Sequence, residues 1–238
     1  MQNALSVILG ANIGTTLTSW IVATLGFKIN IESIAYPLVG VFGIAMALFQ
    51  KEGKGYQWSK FFVGFGLLFV GLSFMKSGFE VVAQEFDFSV LDDYPLIIFV
   101  LVGFVLTSLI QSSSATVAIT LTALNSDAVT LLAAMAIVLG SEVGTTIKLL
   151  IASVNGIAPK KRVALGNFIY NTFIIVVVLI ALKPINHFIT HFINIQDNLL
   201  ALVIFQSGIN VAGVIVFFPF LNAFGRLLTN MFSGNDES

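Results

Sequence analysis

Apolar residues in this chain come in long runs, at roughly 4 to 26, 36 to 50, 58 to 76, 95 to 124, 128 to 153, 163 to 182 and 199 to 221. None shows the period-two alternation of a half-buried strand, so each predicts helix. A run of about 17–25 apolar residues spans the roughly 30 Å of bilayer hydrocarbon as a helix, with every backbone group bonded inside its own segment. One run is interrupted. "IQSSSATVAI" at 110 to 119 sets four consecutive polar side chains, Gln111 to Ser114, inside the apolar stretch from Leu96 to Leu124.

Composition turns that pattern into a fold class. Hydrophobic residues make up 57% and charged residues 10%, against roughly 45–50% and about 25% in a soluble domain, and mean hydropathy is +0.99. The expectation is an all-α, polytopic integral membrane protein, multi-pass in a cell (plasma or inner) membrane. Met1 to Asn3 has no basic stretch and no small-residue cleavage signature follows, so the first span is expected to remain. The absence of Cys excludes disulfides and thiolate metal sites, and a net charge of -1 argues against a nucleic-acid partner. Glycines such as those of "GFGLLFVG" at 64 to 71 read as close helix packing.

Basic residues orient the spans. Lys51, Lys54 and Lys60, then Lys160, Lys161 and Arg162, and finally Arg226 belong in the cytoplasm by the positive-inside rule. The loop between Ser77 and Tyr94, with Glu80, Glu85, Asp87, Asp92 and Asp93, then lies on the opposite face. From there to the cluster at 160 the chain must cross an odd number of times, yet two long apolar segments intervene. A re-entrant helical hairpin over 95 to 124, turning at Gln111 to Ser114 and returning outward, restores the count. Such a turn at membrane depth is tolerated only where it lines protein or a water-filled cavity. Ser112, Ser113, Ser114 and Thr116 would bring hydroxyls there for a hard cation or an oxyanion, whereas a lone Ser usually bonds back to its own helix.

A repeat is also visible. "VILGANIGTTLTS" at 7 to 19 aligns with "IVLGSEVGTTIKL" at 137 to 149, an offset of 130 positions that pairs Gly10 with Gly140, Gly14 with Gly144, Thr15 with Thr145 and Thr16 with Thr146. GxxxG alone is a routine packing motif; the Thr pair, the intramembrane Asn12 or Glu142 and the recurrence add weight. The loop orientations run the two copies in opposite directions, giving inverted-topology repeats, a pattern of secondary transporters that places ion and substrate sites where the repeats meet. Residues 1-57 are then the C-terminal part of the first repeat. Residues 58-238 are the second, with the hairpin at 95-124 and the GTT helix at 128-153, all in a single membrane domain. The same offset puts a first copy of the serine run before Met1, so the repeat is asymmetric or the chain is the distal part of a longer protein; the second is the expectation adopted.

"QSSSATVAI" followed about 30 residues later by "LG-x-x-x-GTT", with "GANIGTT" and "GFGLLFVGLSFMKSG" upstream, resembles the sodium-dependent phosphate cotransporter family, the type II sodium/phosphate symporters and their bacterial relatives. That resemblance implies sodium-coupled symport of inorganic phosphate, with no cofactor beyond sodium as coupling ion. It implies a substrate and ion site of Gln111, Ser112, Ser113, Ser114 and Thr116 with Asn12, Thr15 and Thr16 from one partner helix and Glu142, Thr145 and Thr146 from the other. Sodium is expected at Ser113, Ser114, Thr145 and Thr146. The chain departs from the family where Glu142 replaces the usual Asn and Lys148 follows in the same span. As a carboxylate, Glu142 favours a cation and repels phosphate; carrying a proton, it imitates the amide. Charges at this depth are costly and call for partners, and positions six apart do not share a helix face, so Glu142 needs a partner elsewhere and Lys148 either another or a path to the interface.

His187 and His191, four apart, lack the further ligands of a metal site. A serine protease would need a base near the hydroxyl run, and no P-loop is present. The chain is therefore not read as an enzyme, and transport must draw on an ion gradient. Gln206 and Asn210, one turn apart in the last span, read first as helix-helix hydrogen bonding. The competing function is a non-transporting regulatory or structural membrane subunit, or a transporter fragment. Stoichiometry, the oxyanion, direction of transport and whether the chain forms a homo-oligomer stay open at this level.

Overall fold

The structure is a computed structural model that describes residues 2–27, 31–85 and 88–232. The described residues are almost entirely helical: α1 (Gln2–Ile21), α2 (Ile31–Leu48), α3 (Lys54–Glu85), α4 (Leu96–Ile110), α5 (Ser113–Asn125), α6 (Leu131–Ser153), α7 (Ala158–Ile180), α8 (Leu182–His187), α9 (Asn198–Phe217) and α10 (Leu221–Met231). Five apolar helical stretches are long enough to cross a bilayer: Asn3–Gly26, Lys54–Phe79, Leu131–Ser153, Ala158–Ile180 and Asn198–Met231. This is an all-α, multi-pass membrane protein.

The apolar run over 95 to 124 is two helices. Gln111 takes φ 59, the left-handed region, and donates its N–H to Thr107 O at 2.7 Å, which closes α4; Ser112 then caps α5 by accepting from Ala115 N. At 1.5 Å per residue the 15 and 13 residues of α4 and α5 reach about 22 and 20 Å, short of the hydrocarbon thickness. Their mutual direction follows from α6. A Cβ on Gly140 would meet Val100, and one on Gly144 would meet Thr107, so α4 and α6 run parallel, each beginning at the same level. Only residues 126 to 130 join α5 to α6, so α5 ends where α4 begins. The two arms form a hairpin whose tip is the serine run.

Helix α6 is the centre of the bundle, with Ala133 to Gly144 buried, the hairpin on one side and α7 and α9 on the other. Its approach to α4 depends on two glycines. A Cβ on Gly103 would overlap the carbonyl of Ile137, and one on Gly140 the carbonyl of Val100. Backbone-to-backbone contact of this kind is how membrane helices associate without a hydrophobic driving force between them. The outer side of α4, with Ile97, Leu101, Val105 and Leu109, stays exposed, as a lipid-facing stripe should.

The relative direction of the two repeat copies can also be read from contacts. Leu5 lies against Gly166, and Asn12 Nδ2 is 3.4 Å from Asn171 Oδ1, so α1 and α7 run parallel. The short connection after Ser153 folds α7 back against α6, antiparallel to it, with Leu149, Ser153, Pro159 and Val163 lining one groove between them. Helices α1 and α6 are therefore antiparallel.

Two sequence expectations fare differently here. Helix α3 continues to Glu85, well past the expected span end at 76. Of the acidic residues assigned to the outer loop, Asp87 and the side chains of Glu80, Glu85 and Asp92 lie outside the described residues. At the other end, Arg162 is not a solvated member of a basic cluster. It is 3% exposed and donates Nε and Nη2 to Phe232 O at 3.0 and 2.6 Å, tying the end of α10 to the start of α7.

Candidate functional site

The serine run meets both GTT helices. A cavity of about 300 Å³ is lined by Asn12 and Thr15 of α1, Gln111 to Ser114 at the hairpin tip, Glu142, Thr145 and Lys148 of α6, and Asn167 of α7. Eight of the eleven residues singled out in the sequence thus share one cavity. The other three, Thr16, Thr116 and Thr146, are buried behind it.

Local chemistry differs around the wall. Ser113 and Ser114 open the first turn of α5, where helical N–H groups lack intrahelical acceptors and the helix dipole is positive. Their hydroxyls have no hydrogen-bond partner among the described residues, so they can donate. A helix N-terminus with free hydroxyls is an anion-binding arrangement. The threonines are the reverse case. Thr15 donates its hydroxyl to Asn12 O and Thr145 to Glu142 O, each at 2.7 Å, and Thr16 and Thr146 repeat the bond to Ile13 O and Val143 O. With the proton spent on a carbonyl three residues back, the oxygen of Thr15 or Thr145 turns only lone pairs outward. Lone pairs suit a cation.

The hairpin tip is pinned from below. Thr107 Oγ1 of α4 donates to Thr116 Oγ1 of α5 at 2.7 Å, and both side chains are fully buried. Replacing Thr107 by Val should lower stability by about 1 kcal/mol, the net worth of one buried hydrogen bond. In a double-mutant cycle of thermal unfolding in detergent, Thr107→Val with Thr116→Val should cost less than the sum of the singles; additive costs would show that the bond does not couple the arms.

Glu142 finds its partners on α9. Its Oε1 accepts from Gln206 Nε2 at 3.3 Å and from Asn210 Nδ2 at 3.5 Å, and all three residues are more than nine-tenths buried. The polar pair in the last span therefore does link helices, and what it links to is the intramembrane carboxyl. Lys148, six residues on, is exposed and lines the same cavity. His187 and His191 stack their rings at 4.2 Å, with His191 Nδ1 2.8 Å from Thr190 Oγ1. Among the described residues no group of three His, Cys, Asp or Glu side chains converges.

Asn167 and Asn171 escaped the sequence reading. Asn171 Nδ2 donates to Asn167 Oδ1 at 2.8 Å while its own Oδ1 faces Asn12, so a short amide chain backs the cavity. Their signal was present: two amides one turn apart in an apolar span, the same signal that drew attention to Gln206 and Asn210.

The motif copies diverge in packing. Gly140 and Gly144 seat α4, whereas a Cβ on Gly10 or Gly14 of α1 would meet nothing within 4 Å.

A family model described as Na+/Pi-cotransporter matches residues 1–77 and 95–213. The uncharacterized protein YqeW of Bacillus subtilis (strain 168) is 28% identical over 241 residues, covering 95% of this chain and 72% of that protein. No solved structure matches the chain.

Proposed function

The chain belongs to the Na+/Pi-cotransporter family, and on that premise we propose that it is a secondary active transporter that carries inorganic phosphate across the cell membrane together with sodium. The family is one of transporters, not of enzymes. The observation that carries the reading is the cavity at the hairpin tip, where anion-type and cation-type groups face one another. Ser113 and Ser114 at the start of α5 receive the oxyanion. In place of the Ser113, Ser114, Thr145 and Thr146 set expected from the sequence, back-bonded Thr15 and Thr145, with the carbonyl end of α4, receive sodium. Sodium enters first and its charge makes phosphate binding favourable; one repeat then rocks against the other to release both inside. Coupling comes from the difference in affinity between the two states. The antiparallel course of α1 and α6 supports the inverted-repeat reading, with residues 1-57 and 58-238 as its two parts.

The test is radiolabelled phosphate uptake into proteoliposomes, with and without an inward sodium gradient. We expect sodium-dependent uptake by the wild type and a loss of about 10- to 100-fold in the Ser113→Ala, Ser114→Ala double variant, one to two hydrogen bonds to a charged group. No uptake by the folded, inserted wild type would defeat autonomous transport. One observation favours the rival reading, a membrane subunit or fragment that needs a further element: the Gly10 and Gly14 side of α1 is open where the matching side of α6 is occupied by α4.

A further inference from the structure

We propose that Glu142, with Gln206 of α9, forms a sodium site of its own, separate from the serine run. The inference rests on the transport reading above and adds to it the ligands of one cation.

A buried intramembrane carboxyl group with no cationic partner takes up either a proton or a cation. Among the described residues no Lys or Arg pairs with Glu142. Lys148 is six residues away, about 9 Å along the axis, is exposed, and makes no ion pair with the carboxyl although both line the cavity. Two amide donors, Gln206 Nε2 and Asn210 Nδ2, both fall on Oε1. Oε2 has no protein donor among the described residues, and Glu142 lines the cavity.

The second observation is independent of charge. Gln206 is 2% exposed, and its Oε1 is a buried acceptor with no hydrogen-bond partner. A buried, unpaired amide oxygen loses its hydration with nothing in return, and this one belongs to the carboxamide already held against Glu142. One ligand satisfies both groups: a cation between Glu142 Oε2 and Gln206 Oε1.

The charge and donor set choose the ion. Carboxylate and amide oxygens are hard ligands, suited to a hard cation. The site carries one negative charge, so a monovalent ion makes it neutral, whereas a divalent ion would leave a net positive charge in a buried, poorly solvated place. Filling the site would also relieve the repulsion that a bare carboxylate exerts on incoming phosphate. Sodium before phosphate then follows from electrostatics.

The full chain, purified in detergent, is melted in increasing sodium chloride, with choline chloride holding ionic strength constant. An ion that binds only the folded state raises the unfolding midpoint by mass action. We expect a sodium-specific rise in the wild type, a clearly smaller one in Glu142→Gln, where only the sodium at Thr15 and Thr145 remains, and roughly tenfold more sodium needed for the Glu142-dependent part in Gln206→Leu. The Ser113→Ala, Ser114→Ala variant should keep the rise even if it no longer transports. A sodium-specific rise that is undiminished in Glu142→Gln, or is absent from the wild type, overturns the site; should Glu142→Gln not fold, an unchanged sodium requirement in Gln206→Leu does so. Failure of phosphate uptake alongside an intact Glu142-dependent rise would instead defeat the transport reading and leave the cation site standing.

Discussion

Alanine at Gly140 or Gly103 should abolish the packed hairpin, while alanine at the sequence-equivalent Gly10 or at Gly14 should leave the protein as stable or more so. The first pair stands at a backbone-to-backbone contact: the new Cβ would fall on the carbonyl of Val100 or of Ile137, and a carbonyl cannot move aside as a side-chain end can. Helices α4 and α6 must separate, at a cost of about 3 kcal/mol or more, the upper end of overpacking. The serine run moves with α4, so uptake should fall with the stability. At Gly10 and Gly14 nothing lies within 4 Å, and the helix gains up to about 1 kcal/mol from the higher propensity of Ala. Thermal unfolding of the four single variants in detergent checks this. Equal destabilisation in all four would mean that α1 also carries a helix against its glycines.

Glu142→Leu is the second large effect. Leu is close in volume but offers no acceptor, so Gln206 loses the partner of its Nε2 while its Oε1 already lacks one. Asn210 keeps only the bond from Nδ2 to Gln206 O at 3.0 Å. Gln206 Nε2, left buried without an acceptor, costs about 1–3 kcal/mol, and the lost second bond of Asn210 adds about 1 kcal/mol. We expect Glu142→Leu to lose about 2–4 kcal/mol and Glu142→Gln, which keeps an oxygen in place of Oε1, less than about 1 kcal/mol. Melting in choline buffer removes any contribution from bound sodium. Trp20, whose Nε1 donates to Ser207 Oγ of α9 at 2.9 Å, reports on that helix through its fluorescence. Matching losses in Leu and Gln would show that the amide bonds to Glu142 contribute little and that size alone governs the position.

Much of the fold was legible because its causes are local. Long apolar runs without alternation leave no choice but helix in a bilayer, and four polar residues inside one run leave little choice but a turn. The left-handed Gln111 and the Ser112 cap sit where that reasoning put them. The serine run and the GTT pairs were likewise legible as motifs, and eight of the named residues meet in one cavity. Less legible were Thr16, Thr116 and Thr146, which a motif cannot separate from their neighbours. A hydroxyl faces the cavity or the core according to its rotation about the helix, and that is set by which neighbour the helix packs against. Asn167 and Asn171 were overlooked for a related reason, since an amide pair has no assigned role until the helix opposite it is known.

The sequence by itself determined the solvent, the helices, the break at Gln111 and the existence of two related motifs, because hydrophobicity and backbone satisfaction act over a few turns of one helix. Only the tertiary structure decided that Glu142 is held by Gln206 and Asn210 from 64 and 68 positions away. It alone decided that identical glycines are a contact in α6 and open surface in α1, since a Cβ is a clash only when another backbone is already there.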